Sequence, residues 1–243
     1  MPSAQAIAAS GKQAARERFA RVRLRTLELA APLTPEDQTT QSMPDASPTK
    51  WHLAHTSWFF ETFVLSPYAT DYAIFDPAFG YLFNSYYEAM GARYPRPARG
   101  MLSRPSLETI GAYRAHVDNA VQSLADRADA PLWEKVAPLI ELGLHHEQQH
   151  QELLLMDVKH LFSLNPLQPS YGAFPPAIVR KAPQFEWISF EGGLHEIGHD
   201  GRGFAFDNES PRHKVWLEPF RLAGRLATNA EYQAFIADGG YHR

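Results

Sequence analysis

His146-Glu147-Gln148-Gln149-His150 sits inside an apolar run of helical period, and its reading decides the fold. Two histidines four apart lie on one helix face, so both imidazoles can point at one metal ion. Counting from Leu139, the positions Leu139, Leu142, His146, Gln149, Leu153 and Met156 recur at steps of three and four, the spacing of a buried helical seam. Burying His146, Gln149 and the adjacent His150 there without partners costs roughly 1–3 kcal/mol each. A bound cation removes most of that cost. The segment therefore predicts a metal site inside a helical bundle.

Working outward, Pro131 opens this helix and Phe162 lies near its end. Three further helices are expected upstream. The first spans Lys12 to Ala30, with Phe19, Val22, Thr26 and Leu29 on one side. The second begins at Ser47-Pro48, a capping hydroxyl followed by proline at the first helical position, and runs to about Leu65. The third is capped by Ser106 and runs to about Ala128, with Leu107, Ile110, Tyr113, Val117 and Leu124 inward. Between the second and third lies an aperiodic stretch of roughly forty residues, rich in Tyr, Phe, Pro and Gly; so long a connection is usually functional. Four helices, one long crossover and polar groups in the seam predict an all-α four-helix bundle over residues 1–165 with a metal in its core.

The pattern changes after Asn165. Pro166, Pro169, Pro175, Pro176 and Pro183 mark a linker over 166–184. From Phe185 the chain turns to short β-like runs, Phe185 to Phe190, Leu194 to Gly198, Lys214 to Leu217 and Phe220 to Ala223, followed by a helix at Asn229 to Ala237. This predicts a second, α+β domain over 185–243. Its length of about 60 residues is short for closing a core, so it reads as the truncated beginning of a larger domain.

Bulk properties narrow the chemistry. The 243 residues carry a net charge of -4 and no basic run, which argues against nucleic acid as a partner. Cysteine is absent, which excludes disulfides, a Cys-zinc site and a cysteine nucleophile. Any metal must be held by His and carboxylate. No apolar run reaches about 18 residues, so no transmembrane helix is expected. Met1 to Arg21 lacks an apolar signal core, and the chain reads as cytoplasmic.

Catalytic metals usually take three protein ligands and keep positions open. The second helix offers the third. Its stripe is Trp51, Ala54, His55, Trp58, Phe59 and Thr62, with His55 at the centre between two tryptophans. The alternative is a core histidine satisfied by its neighbours. His52 falls off the middle of the stripe and is expected at its edge. His145 is turned about 100° from His146 and is expected at the surface or behind the site. The same HExxH spacing describes zinc metalloproteases, with Glu147 as general base. The extended protease motif requires Gly and then His where this chain has Leu153 and Met156. Glu152 and Asp157 are possible further ligands in that reading.

Three stretches together carry a resemblance: Gln41-Ser42-Met43-Pro44-Asp45-Ala46-Ser47-Pro48, Trp51-His52-Leu53-Ala54-His55 and the His146–His150 run. They resemble the EgtB-type sulfoxide synthases of ergothioneine biosynthesis, whose N-terminal domain is a DinB-like four-helix bundle. Gly192-Gly193, Gly198, Phe206-Asp207-Asn208-Glu209, Pro211-Arg212-His213 and Thr228-Asn229-Ala230-Glu231-Tyr232 resemble the opening of the formylglycine-generating-enzyme (sulfatase-modifying-factor, C-type-lectin-like) fold that follows it. The resemblance implies that His55, His146 and His150 bind a non-haem Fe(II). It implies joining of a cysteine-type thiol, cysteine or γ-glutamylcysteine, to the imidazole of hercynine with O2, giving a sulfoxide. Closely similar ovothiol-type synthases use histidine instead.

The physics is compatible. Three neutral imidazoles leave Fe(II) its full charge and up to about three open positions. A thiolate is attracted there and its pKa falls on binding. Zinc would bind such ligands but has no redox chemistry. Tyr86-Tyr87, in the crossover, resembles a tyrosine pair near the iron in one branch of the family, where a phenol donates a proton or hydrogen bond. Its alternative is loop packing. Arg93 and Arg96, followed by Arg99 and Arg104, are candidates for a bidentate clamp on a substrate carboxylate, or else solvated loop charges. Gln149 is a candidate for hydrogen bonding on the hercynine side, or a polar core residue. Asp207 and Glu209 read as turn residues. In relatives the later part of the second domain supplies part of the substrate pocket, so iron binding with little turnover is expected of these 243 residues. A DinB-like thiol transferase and a structural zinc module are the competing classes.

Overall fold

The computed structural model describes residues 4–85, 91–172 and 182–242. The chain divides into two compact units, Met1–Ala173 and Phe174–Arg243.

The first unit is helical. Its elements are α1 (Ala4–Ala30), α2 (Pro35–Thr39), α3 (Thr49–Phe60), α4 (Ser66–Tyr68), α5 (Phe79–Leu82), α6 (Leu107–Arg127) and α7 (Ala130–Ser163). The long helices α1, α3, α6 and α7 pack on one another around Phe19, Trp58, Phe60, Ile110, Tyr113, Val117, Val136, Ile140 and Leu144. Local chemistry sets two of their starts. The Ser106 hydroxyl accepts from the Thr109 N–H at 3.1 Å, and the Asp129 carboxylate accepts from the Leu132 N–H at 2.9 Å. Each satisfies a backbone donor that the first turn leaves open.

The start of α3 differs from expectation. Its N-cap is Pro48, without a side-chain bond. The Ser47 hydroxyl accepts instead from Arg99, and the Ser47 N–H donates to Asp157 at 2.9 Å. Tertiary partners have captured the capping group. At its far end α3 passes into a π-helical turn, Glu61–Leu65, and then α4. The Glu61 carboxylate is buried there. It accepts from the Tyr113 hydroxyl at 2.7 Å, the Phe75 N–H at 3.2 Å and the Tyr72 hydroxyl. The crossover between α3 and α6 holds α4, α5 and a 3-10 turn at Arg96–Met101.

The seam of α7 is rotated from the expected one. The buried positions are Val136, Ile140, Gly143, Leu144, Glu147, Leu154, Asp157 and Val158. Leu139, Leu142, His146 and Leu153 are half-buried, and Gln149 and Met156 are exposed. The seam lies about one residue, or 100°, further round the helix. The cause is Glu147, a carboxylate with no solvent exposure, paired to two guanidiniums. Gly143 closes the α3–α7 contact: a Cβ there would stand 2.4 Å from the Phe60 ring.

The second unit holds β1 (Trp187–Phe190), β2 (Gly193–Ile197), β3 (His213–Leu217), β4 (Phe220–Ala223) and α8 (Asn229–Ala237). These lie where alternation and turn residues place them. The antiparallel pair β2–β3 falls, in chain order, inside the antiparallel pair β1–β4, with Gly193 opposite Leu217 and Trp187 opposite Ala223. Gly198 has φ +113°, and a Cβ there would approach Arg212 Cα to 2.8 Å. Asp207–Glu209 form a 3-10 turn, closed by the Phe206 N–H donating to Glu209 at 2.7 Å. Thr228 and Glu231 cap α8 reciprocally. No described residue of this unit is buried. Among the described residues of the chain, no helix is long and apolar enough to cross a membrane.

Candidate metal centre

α3 carries His55 inward, and α7 carries His146 and His150 one turn apart. One ring nitrogen from each of the three lies within 4.8 Å of the other two. The rings meet edge-on, with centroids 4.6 to 5.0 Å apart.

The α3 ring is fixed on both sides and from behind. His55 stacks between Trp51, at 4.5 Å, and Trp58, at 5.4 Å. Its Nδ1 lies 2.6 Å from the Phe83 carbonyl oxygen, an acceptor, so Nδ1 carries the proton and Nε2 keeps its lone pair. Trp51 is itself anchored by its indole N–H donating to the Leu82 carbonyl at 3.2 Å. The Arg99 guanidinium lies 3.4 Å over its ring. The column Arg99–Trp51–His55–Trp58 leaves the ligand ring little freedom.

Electrostatics keep all three rings neutral. Burial holds the His55 imidazole well below its usual value, with the neighbouring His146 adding to the effect. Burial lowers His146 to about 4, and His150 well below the ordinary range. Neutral rings are the ligating form, so no proton must be removed for a cation to enter. His146 Nδ1 is buried and has no hydrogen-bond partner among the described residues. Three imidazoles that each bring one nitrogen to a common point are the donor set that a borderline transition metal accepts.

His52, expected at the edge of the helix, is buried behind the trio. Its Nδ1 is 2.9 Å from His150 Nδ1 and its Nε2 is 3.0 Å from Asp157 Oδ2. Burial lowers its pKa, against an opposing pull from Asp157. Its position three residues before His55 put it on the neighbouring stripe, which is the signal that could have placed it. Asp157 lies two turns from His150 on α7, a second readable signal. His145, half-buried, pairs with Arg18 at 2.8 Å, toward α1.

Glu147 does not face the trio. Its carboxylate accepts from Thr26 at 2.6 Å, Arg23 at 2.9 Å and Arg114 at 3.0 Å. Burial alone would raise its carboxyl, but Arg23 and Arg114 outweigh this and hold it below the ordinary range. A carboxylate saturated by two guanidiniums cannot serve as the general base of a protease. Glu152, the other acidic candidate, is exposed.

The arginines expected as a clamp are engaged with the chain. Arg93 donates to the Ser85 carbonyl at 2.8 Å, and Arg96 donates to the Asp45 carbonyl. Arg99, buried, donates to the hydroxyls of Ser47 at 2.9 Å and Ser85 at 3.0 Å. Ser85 directly precedes Tyr86-Tyr87, which lie outside the described residues. Gln149 is exposed rather than in the seam.

The helical unit with a cluster of three histidines defines the class of fold, and comparison with known proteins gives its family. The DinB superfamily model matches residues 18–154, and the sulfatase-modifying factor enzyme 1-like domain matches residues 174–243. The chain belongs to the DinB superfamily. Its relatives include the hercynine oxygenase of Mycolicibacterium thermoresistibile, 31% identical over 205 residues, covering 82% of this chain and 43% of that one. The hercynine oxygenase of Mycobacterium tuberculosis is 29% identical over 225 residues, covering 92% and 50%. Ergothioneine biosynthesis protein 1 of Neurospora crassa is 23% identical over 146 residues, covering 55% and 17%. The resemblance to EgtB-type proteins is thereby borne out across both units. The chain spans about half the length of the curated hercynine oxygenases it matches over most of its residues.

Proposed function

We propose that His55, His146 and His150 hold a non-haem Fe(II), and that the protein serves an O2-dependent sulfoxide synthase of ergothioneine biosynthesis. The observation that supports this most is the three-nitrogen cluster itself, neutral by burial and, among the described residues, without a carboxylate in it. Hercynine and a cysteine-type thiol are the substrates of this reading, brought to it by relatives named hercynine oxygenases. The balance closes. One imidazole C–H and one S–H are lost, a C–S bond forms, and O2 ends as the sulfoxide oxygen and water.

When bound, Fe(II) supplies a site for thiolate and O2 together and the electrons that activate O2. The chain does the rest. Trp51 and Trp58 hold the His55 plane, and the Phe83 carbonyl turns its Nε2 toward the cluster. Trp51 and Trp58, both buried, keep water from the faces of the His55 ring. Arg99 and Arg93 hold Ser85. We assign the next two residues in the chain, Tyr86 and Tyr87, to donating a proton or hydrogen bond to oxygen. Arg93, Arg96 and Gln149 remain the groups for substrate carboxylate and imidazole, with the two arginines exchanging backbone carbonyls for substrate oxygens.

The test is anaerobic loading of the purified chain with Fe(II), metal analysis after desalting, and O2 uptake with thiol plus hercynine or histidine. About one iron per chain in the wild type and none in His146→Ala is expected, with little O2 uptake by these 243 residues and that little favouring hercynine. Retention of zinc in preference to iron, or iron that survives His146→Ala, would overturn the assignment.

A further inference from the structure

His52 and Asp157 stand behind His150 and take no part in the reaction proposed above. We propose that they are positioning residues: a one-way chain of hydrogen bonds from Asp157 through His52 dictates which nitrogen of His150 faces the metal. This rests on the metal-centre reading, but its first measurement needs no metal.

The argument is a count of protons. Asp157 Oδ2 accepts the Ser47 N–H at 2.9 Å and lies 3.0 Å from His52 Nε2. A carboxylate oxygen only accepts, so His52 Nε2 is the donor. A neutral imidazole has one N–H, which leaves His52 Nδ1 bare. That bare nitrogen lies 2.9 Å from His150 Nδ1. Two bare nitrogens would repel at that distance, so the shared proton belongs to His150. Its Nε2 is then a free lone pair. His55 reaches the same tautomer by another route, through the Phe83 carbonyl. Two ligand rings on different helices are thus set alike, by a carbonyl on one side and a carboxylate–imidazole relay on the other.

The relay is also a strut. His52 lies one turn before His55 on α3 and touches both His150 and Asp157, two turns apart on α7. A single ring therefore ties together the two helices that bear the ligands. Both Asp157 contacts land on one oxygen, which has a consequence for substitution: an amide oxygen can accept both bonds, whereas an aliphatic side chain can accept neither.

The experiment is a long-range 1H–15N correlation spectrum of metal-free protein labelled with 15N-histidine, followed by Co(II) titration. His150 is expected as the Nδ1–H tautomer in the wild type. His52→Phe releases it to a mixture and weakens Co(II) binding roughly 10–100-fold. Asp157→Leu behaves like His52→Phe, whereas Asp157→Asn keeps the His150 tautomer and most of the affinity. His150 found as Nε2–H in the metal-free wild type overturns the relay, and needs no variant to fold. So does unchanged Co(II) affinity in His52→Phe. A wild type with the expected tautomer that nonetheless retains no iron supports the relay and defeats the iron reading alone.

Discussion

Burial is the chief cause that lowers all three clustered imidazoles, His146 among them, and this gives the metal-free protein an acid liability. In the fold His146 takes a proton near pH 4, and an ordinary imidazole does so at 6.5. Between those values the unfolded chain binds more protons than the folded one, so stability rises with pH across that window and is lost as pH falls through it. The loss from this ring alone amounts to at most about 3 kcal/mol. His55 and His150, which burial also holds well below the ordinary range, add to it in the same direction. We expect urea midpoints of the metal-free protein to fall steeply from pH 6.5 to 4, and His146→Ala to flatten that slope. Equal slopes for both would contradict the burial account. The three histidines that the structure brings together were readable in the sequence because His55 and His146 interrupt apolar stripes and His150 lies one turn from His146. His52, expected at the edge of its helix, is buried because α7 brings His150 and Asp157 against its two ring nitrogens, a contact between segments distant in sequence.

At the scale of elements, a buried charge network does what the expected apolar seam was to do. Arg23 of α1 reaches Glu147 of α7, Asp118 of α6 at 2.6 Å and Ser57 of α3 at 2.7 Å. Arg114 of α6 reaches Glu147, Thr56 at 2.9 Å and the Leu53 carbonyl at 2.9 Å. α1 and α6 meet α7 at one carboxylate, and α3 joins through the same two arginines. Glu147→Gln leaves two buried guanidiniums short of charge, and we expect a loss of about 3–5 kcal/mol in equilibrium unfolding. Were Glu147 a catalytic base, the same change would abolish activity and leave stability nearly intact. The network also explains which parts of the helical reading succeeded. Caps at Ser106 and Asp129 are local bonds, so the starts of α6 and α7 follow from the sequence. The rotation of α7 does not, because a period count treats glutamate as outward-facing and cannot see the two arginines that bury it. The Ser47 cap failed for the same reason: the hydroxyl has a better donor in Arg99 than the first turn of α3 offers.

Across the whole molecule the two units differ in how their elements are covered. The helical unit buries a continuous aromatic and aliphatic core. The second unit was legible strand by strand, since alternation and turn residues are local. Its pairs, though, are two-stranded ladders whose large side chains stay open: Trp187 is 57% exposed, Trp216 65% and Leu222 59%. Isolated two-stranded ladders are marginal in water, and opening free energies follow buried contact. Native-state hydrogen exchange on the chain should therefore separate the units. Amides of α1, α3, α6 and α7 are expected to exchange only through global opening, with those around Glu147 among the slowest. Amides of β1 to β4 should exchange orders of magnitude faster despite their ladder bonds. Binding a cation at His55, His146 and His150 stabilises the folded helices by RT ln(1 + [L]/Kd), about 2.7 kcal/mol at a hundredfold excess over Kd. Protection in α3 and α7 should rise by that amount when metal is added. Ladders as protected as the helices would mean that the exposed side chains of β1 to β4 do not set their opening, and helices indifferent to metal would mean that the three nitrogens, close as they are, do not share an ion.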